Sequence, residues 1–247
     1  MDQALYRVGY KMKTFAVTHQ GLAKHENQDV YLVKNFENGS LLLAVADGLG
    51  GEAGGKWAAD MAVASLDDFK PESQVVETHF EELMQAAKQR IMEAVKKEPD
   101  LEGMGTTMTA AFVRNGITYW AHVGDSRLYL FRGHEIHQIT EDDTMAGFLL
   151  SEGQITKDEA RIHPGSKFLF QCIGGCGEFE VHIGHFEVHE GDILVLSTDG
   201  LHDEVSEEKI VSILGSGIDI KQEAEALVCA ALDAGGKDNI ALVLAEV

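Results

Sequence analysis

Residues 41–51 read LLLAVADGLGG, in which six apolar residues run without a break into an aspartate and a glycine. An apolar run with no polar alternation is typical of a strand that is buried on both faces. Residues 193–196, ILVL, repeat the pattern shortly before a second Asp-Gly pair, Asp199 and Gly200. The sequence therefore predicts two buried central strands, each leading to an aspartate.

The rest of the chain predicts short strands and pairs of helices. Closely spaced strands over residues 108–139 predict antiparallel hairpins, because a parallel crossover needs a dozen residues or more. Apolar residues recur at helical spacing in two consecutive pairs of segments, 54–69 with 76–98 and 206–214 with 219–234. An α+β fold in which stacked antiparallel sheets are covered by helix pairs fits this order better than a doubly wound sheet.

Composition restricts the domain organisation and the partners. The chain has 247 residues, a formal net charge of −21, three prolines and no linker-like segment, so we predict one domain over residues 1–247. An acidic surface repels phosphate backbones and anionic lipid, and we expect no nucleic acid and no membrane partner. Without a signal peptide or an apolar span, a cytoplasmic location is the default expectation. Three cysteines, an odd number, favour free thiols.

Four aspartates share one setting at the ends of predicted strands. Asp47 and Asp199 follow the two buried runs, and Asp29 and Asp238 directly precede other predicted strands. Carboxylates fixed at strand ends can form a metal site, and hard oxygen ligands favour Mg²⁺ or Mn²⁺. A tight turn at the glycines would also let the Gly48 carbonyl face an ion. On its own, however, an Asp-Gly pair is most often a simple turn.

A dinucleotide site is the main alternative at the first Asp-Gly pair. Residues 48–53, GLGGEA, match a dinucleotide-binding pattern, and Asp67 and Asp68 follow at the spacing of a ribose ligand. The hairpins that come next are not a second βαβ unit, and Asp47 would lie against the pyrophosphate. Nucleophile-elbow, Walker A and HExxH motifs do not occur in the sequence. The sequence therefore does not support these classes of enzyme.

Taken in order, the motifs resemble those of the type 2C metal-dependent protein serine/threonine phosphatases, the PPM family, in their compact bacterial form. The motifs are GLAKHENQD at 21–29, ADGLGG at 46–51, MGTT at 104–107, VGDSR at 123–127, STDGL at 197–201 and GKDN at 236–239. The resemblance implies a four-layer αββα sandwich, with two stacked antiparallel β-sheets flanked by helix pairs. It also implies hydrolysis of phosphoserine and phosphothreonine by direct attack of a metal-bound hydroxide.

The resemblance assigns a role to each candidate site residue. It implies two Mn²⁺ or Mg²⁺ ions and a third, weaker site. Asp47 and Asp199 are the implied catalytic residues, Asp47 as the bridge between two ions, and Asp125 helps to hold the third ion. The full set of implied metal ligands is Asp29, Asp47, Gly48, Asp125, Asp199 and Asp238.

Two positions depart from the family pattern. Lys24 occupies the position at which the family usually has a phosphate-binding arginine, and we expect Lys24 to bind the substrate phosphate. Leu49 stands where animal members often have a histidine that protonates the leaving oxygen. Residues 145–164 take the place of the family's mobile flap, which can select substrates.

The implied partners are phosphorylated proteins, together with a partner serine/threonine kinase and its targets. The departures at Lys24 and Leu49 keep one alternative open. It is a catalytically weak module of the same fold that binds phosphoproteins or regulates a partner.

Overall fold

The computed structural model describes residues 12–175 and 177–247, and two five-stranded antiparallel sheets form its centre. The first sheet has the strand order β1 (Lys13–His19), β13 (Ile240–Glu246), β12 (Ile193–Ser197), β8 (Arg127–Arg132) and β9 (Glu135–Gln138). The second has the order β11 (His182–Glu187), β7 (Ile117–Val123), β6 (Met108–Arg114), β3 (Leu41–Ala46) and β2 (Val30–Asn35). A small third sheet joins β10 (Ile173–Gly174), β5 (Gly105–Thr106) and β4 (Gly48–Leu49).

Helices cover the outer faces of both large sheets. The second sheet is covered by α1 (Gly51–Ser65) and α2 (Val76–Lys97). Two further helices, α3 (Met145–Ser151) and α4 (Lys157–Ile162), lie in the connection after β9. The first sheet is covered by α5 (Asp199–His202), α6 (Glu207–Leu214) and α7 (Ile220–Asp233). The first predicted helix begins three residues early and ends in a 3₁₀ turn over Leu66–Asp68. In the described ranges, no helix combines the length and the apolar character that crossing a bilayer requires.

The unbroken apolar strand β3 separates two layers of the core. Its odd-numbered side chains pack in one cluster with Leu196 and Val243 of the first sheet. Its side chains Leu42 and Ala44 pack on the other face, in a cluster with Phe80 of α2. A third cluster fills the space between the first sheet and α5 to α7. The predicted αββα sandwich of stacked sheets and flanking helices is confirmed.

Antiparallel pairing brings the predicted site residues to one edge of the sandwich. The first residue of β2 pairs with the last residue of β3, so Asp29 and Asp47 lie on neighbouring strands at the same end. The last residue of β12 pairs near the start of β13, which brings together the segments that carry Asp199 and Asp238. Asp125 lies between the end of β7 and the start of β8, and both of these reach the same edge.

The cysteines differ from the expectation of free thiols. Cys172 is disulfide-bonded, whereas Cys229 is free and exposed. An odd number of cysteines prevents complete pairing but allows one bridge, so the expectation is wrong for Cys172. Cys176 and the first 11 residues of the predicted domain lie outside the described residues.

Candidate metal centre

Six aspartates gather where the strand ends meet, and their charges interact with one another. Five of them were predicted from the sequence, and one, Asp203, was missed. Asp203 lies four residues after Asp199, directly after α5, so helical spacing could have identified it. We call this group the acidic cluster: Asp29, Asp47, Asp125, Asp199, Asp203 and Asp238.

Two glycines allow the chain segments of the acidic cluster to approach each other. A Cβ atom on Gly200 would lie 1.9 Å from the carbonyl oxygen of Asn239. A Cβ atom on Gly48 would lie 2.2 Å from the carbonyl oxygen of Gly55 in α1. A side chain at either position would therefore push an aspartate-bearing turn away from its neighbour, so each Asp-Gly pair is a close backbone contact as well as a candidate ligand position.

Two carboxylate oxygens in the acidic cluster fit a cation. Thr198 Oγ1 donates a hydrogen bond of 2.6 Å to Asp29 Oδ2. Within the described part of the chain, Asp29 Oδ1 and Asp199 Oδ1 are buried without a hydrogen-bond partner. A buried anionic oxygen without a donor is costly, and a hard divalent cation such as Mg²⁺ or Mn²⁺ would satisfy it.

Burial and mutual repulsion raise the pKa values of the carboxyl groups. Burial raises the pKa of Asp29 to about 7, and the charges of Asp199 and Asp238 add to the effect, whereas side-chain hydrogen bonds with Thr198 and with the Asp47 carboxyl group oppose it. Burial also raises the pKa of Asp47 well above its usual range, with further contributions from neighbouring aspartates. The pKa values of Asp125 and Asp199 are raised in the same direction, again first by burial. Cations bound among these carboxyl groups would lower their pKa values and favour the ionised form.

Two lysines supply positive charge to the acidic cluster. Lys24 Nζ lies 2.6 Å from Asp238 Oδ1. Lys167, which was not identified from the sequence, contacts the carboxylates of both Asp199 and Asp203. Burial lowers the pKa of Lys24, but the hydrogen bond and the charge of Asp238 outweigh it, so this pKa is raised. The lysines therefore stabilise carboxylates that would otherwise repel each other.

The side chains do not form a closed ligand shell as they stand. Among residues 12–175 and 177–247, no three His, Cys, Asp or Glu side chains are arranged so that they could hold one metal ion. Ammonium groups engage Asp199, Asp203 and Asp238 instead. Because Mg²⁺ commonly keeps several waters and takes only one or two carboxylates, an open cluster is compatible with such ions. The predicted ligand set therefore stays a prediction.

Asn239 fastens the loop before β2 to the turn before β13. Its Oδ1 accepts a hydrogen bond of 2.9 Å from Gln28 N. Its Nδ2 donates bonds of 2.7 and 2.8 Å to the carbonyl oxygens of Gln20 and Glu26. The side chain is buried, so these bonds fix the backbone that carries Asp29. The sequence motif contained Asn239 but did not reveal this role.

Replacing Asn239 with alanine is expected to lower the free energy of unfolding by about 2–4 kcal/mol, because one backbone N–H and two carbonyl groups lose their partner. Urea unfolding would measure the change. Asn38→Ala is a matched control, because Asn38 Oδ1 accepts its bonds from Ser40 N and Ser40 Oγ, which lie in the same hairpin turn. Equal losses in both variants would contradict the role assigned to Asn239.

The predicted flap lies beside the acidic cluster. Residues of α3, α4, α5 and α6 line a pocket of about 370 Å³. Asp125 and Asp203 also line this pocket, so it connects the flap with the acidic cluster. Phe148 and Ile162 of the flap are exposed.

One protein-family model matches most of this chain. Residues 22–233 match the model of the family described as protein phosphatase 2C. The chain belongs to the protein phosphatase 2C family. The family resemblance of the sequence motifs is therefore confirmed, and the acidic cluster lies within the matched residues.

Named protein phosphatase 2C relatives cover most of this chain. The serine/threonine protein phosphatase PstP of Mycobacterium tuberculosis is 38% identical over 245 residues, which are 98% of this chain and 46% of PstP. The chain thus spans about half the length of that relative. The serine/threonine phosphatase Stp of Listeria monocytogenes is 34% identical over 235 residues, which are 93% of each chain.

A solved structure has the same fold. It is the catalytic domain of PstP in complex with two manganese ions, with a TM-score of 0.82 and 35% sequence identity. The superposition covers 95% of this chain and 97% of the PstP chain.

Proposed function

We propose that this protein phosphatase 2C member hydrolyses phosphoserine and phosphothreonine in proteins, with Mn²⁺ or Mg²⁺ as cofactor. The observation that carries the proposal is the acidic cluster, in which two buried carboxylate oxygens have no hydrogen-bond donor in the part of the chain that the structure describes. The names of the relatives support phosphoprotein substrates. The two manganese ions of the PstP catalytic domain support a metal centre. A serine/threonine kinase and its targets are the proposed partners.

The proposed metal ligands are the residues that lie next to the strand ends. Asp47 would bridge two ions, with the Gly48 carbonyl on one of them and Asp199 and Asp238 on the other. Asp125 would help Asp199 to hold a third, weaker ion. When bound, divalent ions supply a nucleophile at neutral pH and offset negative charge on the phosphoryl oxygens.

The protein contributes rigid positions for these ligands. Asp47 N donates to Thr107 Oγ1 at 3.0 Å, and Asp47 O accepts from Thr107 N at 2.9 Å. Asp29 is fixed by Thr198 and is buried, so it would bind an ion directly or through water. Because Asp29 and the backbone of Asp47 are held in fixed positions, these two residues would be preorganised to bind an ion.

Replacing Lys24 with alanine is expected to raise KM for a phosphopeptide by about tenfold, because a charge-assisted contact to the phosphate is lost. Lys24→Arg should keep or lower KM, since the guanidinium can bind phosphate through two nitrogens. Steady-state kinetics with saturating Mn²⁺ would measure both. Lys237→Ala is a matched control, because Lys237 pairs with Glu204 at 3.0 Å instead of with the acidic cluster. An unchanged KM in Lys24→Ala would remove Lys24 from the phosphate site.

The proposed activity can be tested with purified protein, an aryl phosphate and phosphoserine or phosphothreonine peptides. Hydrolysis should require Mn²⁺ or Mg²⁺ and stop in EDTA. Hydrolysis that continues without metal, or no hydrolysis with any divalent ion, would contradict the proposal.

The departures at Lys24 and Leu49 favour a second candidate, a phosphoprotein-binding module with weak catalysis. The retained carboxylates argue against it, because a decayed enzyme would be expected to lose ligands. Calorimetric titration with Mn²⁺ separates the two candidates. The absence of Mn²⁺ binding in the micromolar-to-millimolar range would favour the binding module.

A further inference from the structure

Lys167 reaches the acidic cluster from a loop that follows α4. Its ammonium group contacts the carboxylates of Asp199 and Asp203, and its charge also acts on Asp125. Asp125 and Asp199 are the residues proposed above to hold a third divalent ion. One positive charge of the chain therefore already lies where that ion would bind.

Backbone hydrogen bonds connect the residues directly after Lys167 to the start of the flap. Met145 N donates to Phe168 O at 3.1 Å, and Phe170 N donates to Asp143 O at 2.8 Å. These bonds fix the backbone next to Lys167, while its long side chain reaches into the acidic cluster. The ammonium group can therefore leave the carboxylates by side-chain rotation alone.

We propose that the Lys167 ammonium group is a tethered cation that competes with a third divalent ion for the carboxylate of Asp199. The proposal rests on the metal-dependent function proposed above and deepens it. Two cations on one carboxylate group repel each other, so the ion binds weakly until the ammonium group has moved away. This competition gives a physical cause for the weakness expected of the third site.

The environment of Lys167 supports both states of such an exchange. Burial lowers the pKa of Lys167, but the charges of Asp199 and Asp203 outweigh it and raise the pKa, so the group is charged near neutral pH. About half of the side chain, 52%, is exposed, so the displaced ammonium group can be hydrated. Asp199 Oδ1, in contrast, is buried and has no hydrogen-bond partner among the described residues, so a metal ion could bind to this oxygen.

The test is a titration of the metal-free full chain with Mn²⁺, without substrate. Electron paramagnetic resonance of free Mn²⁺ counts the bound ions, and calorimetry gives their affinities. Lys167→Met removes the charge and keeps an unbranched side chain. Lys157→Met removes the same charge from the flap, where Lys157 pairs with Glu207 at 3.5 Å, and is the matched control. Lys167→Arg retains the charge.

In Lys167→Met, the Kd of the weakest ion is expected to fall by about 10- to 100-fold, the range of a typical coupling between two sites. The tighter ions should change little, and Lys157→Met and Lys167→Arg should titrate like the wild type. Thermal melting identifies any variant that does not fold, and Lys167→Gln then replaces Lys167→Met.

Two results would overturn the competition. One is an unchanged affinity for every ion in Lys167→Met, and the other is an equal gain in Lys157→Met. Failure of the proposed function looks different, because the wild type itself would then bind no Mn²⁺ or hydrolyse no phosphoester. A wild type that binds no Mn²⁺ contradicts both proposals.

Discussion

Replacing Asp47 with asparagine is expected to lower Mn²⁺-dependent kcat by about 100- to 1000-fold and to stabilise the metal-free protein. The loss of activity is expected because an amide cannot act as a bridging anion for two ions, and preorganised electrostatic groups of this kind have effects of that size. The gain in stability has a separate cause. Asp47 is a carboxyl group whose pKa is raised by burial and by the charges of Asp29 and Asp199. Asparagine has nearly the same side-chain shape as aspartate but carries no charge, so it removes the free-energy cost of burying a carboxylate beside other carboxylates.

Both effects can be measured with the same pair of variants. Turnover is measured with saturating Mn²⁺, and urea unfolding is measured in EDTA at pH 7, where a gain of about 1–3 kcal/mol is expected. Asp60→Asn is the matched control, because Asp60 lies on α1 and pairs with Lys56 at 2.6 Å outside the acidic cluster. The backbone bonds between Asp47 and Thr107 do not involve the carboxylate and should persist. Wild-type turnover in Asp47→Asn would refute the bridging role, and a large loss of stability would refute the account of repulsion.

The sequence was sufficient for the fold and for most of the acidic cluster, because both follow from local patterns. An unbroken apolar run predicts a doubly covered strand, and β3 is buried over its whole length. Antiparallel pairing then brings together aspartates that precede one strand and follow its neighbour, as Asp29 and Asp47 do. The positions of the aspartates relative to the predicted strands therefore indicate that they lie at the same edge of the sandwich.

The contacts that complete the acidic cluster depend on tertiary packing. Lys167 lies 32 residues from Asp199 in the sequence and reaches it from an irregular loop, so no periodic pattern connects the two. The Asn239 side chain bonds to backbone carbonyl and N–H groups of other residues. Every residue type except proline carries both groups, so the sequence does not reveal these contacts. Asp203 is the exception, because its spacing from Asp199 is helical. Contacts that involve backbone groups or irregular loops could therefore not be predicted from the sequence.

The metal-free protein is expected to lose stability as the pH rises from about 4 to about 7, and Mn²⁺ is expected to remove most of this dependence. Burial, with the charges of Asp199 and Asp238, raises the pKa of Asp29 from 3.8 to about 7. A carboxyl group with a higher pKa in the folded than in the unfolded state binds more protons when folded. The free energy of unfolding therefore falls as the pH rises between the two values and is constant above them. The shift of Asp29 alone corresponds to about 4 kcal/mol.

Divalent ions oppose this loss because they favour the ionised carboxylates. An ion present at 100 times its Kd adds about 2.7 kcal/mol, and a gain of that size raises the Tm of a chain of this length by about 5–10 °C. Thermal and urea unfolding from pH 4 to 8, in EDTA and in Mn²⁺, would measure both effects. Asp29→Asn should flatten the pH dependence in EDTA and reduce the effect of Mn²⁺.

Glu223 provides the internal control for this prediction. Burial, with the charges of Glu246 and Asp219, also raises the pKa of Glu223 to about 7, but Glu223 lies on α7 outside the acidic cluster. Glu223→Gln should therefore reduce the pH dependence equally with and without Mn²⁺, whereas Asp29→Asn should act mainly in EDTA. If the wild type lost the same stability between pH 4 and 7 in both media, the acidic cluster would not be the site at which Mn²⁺ binds.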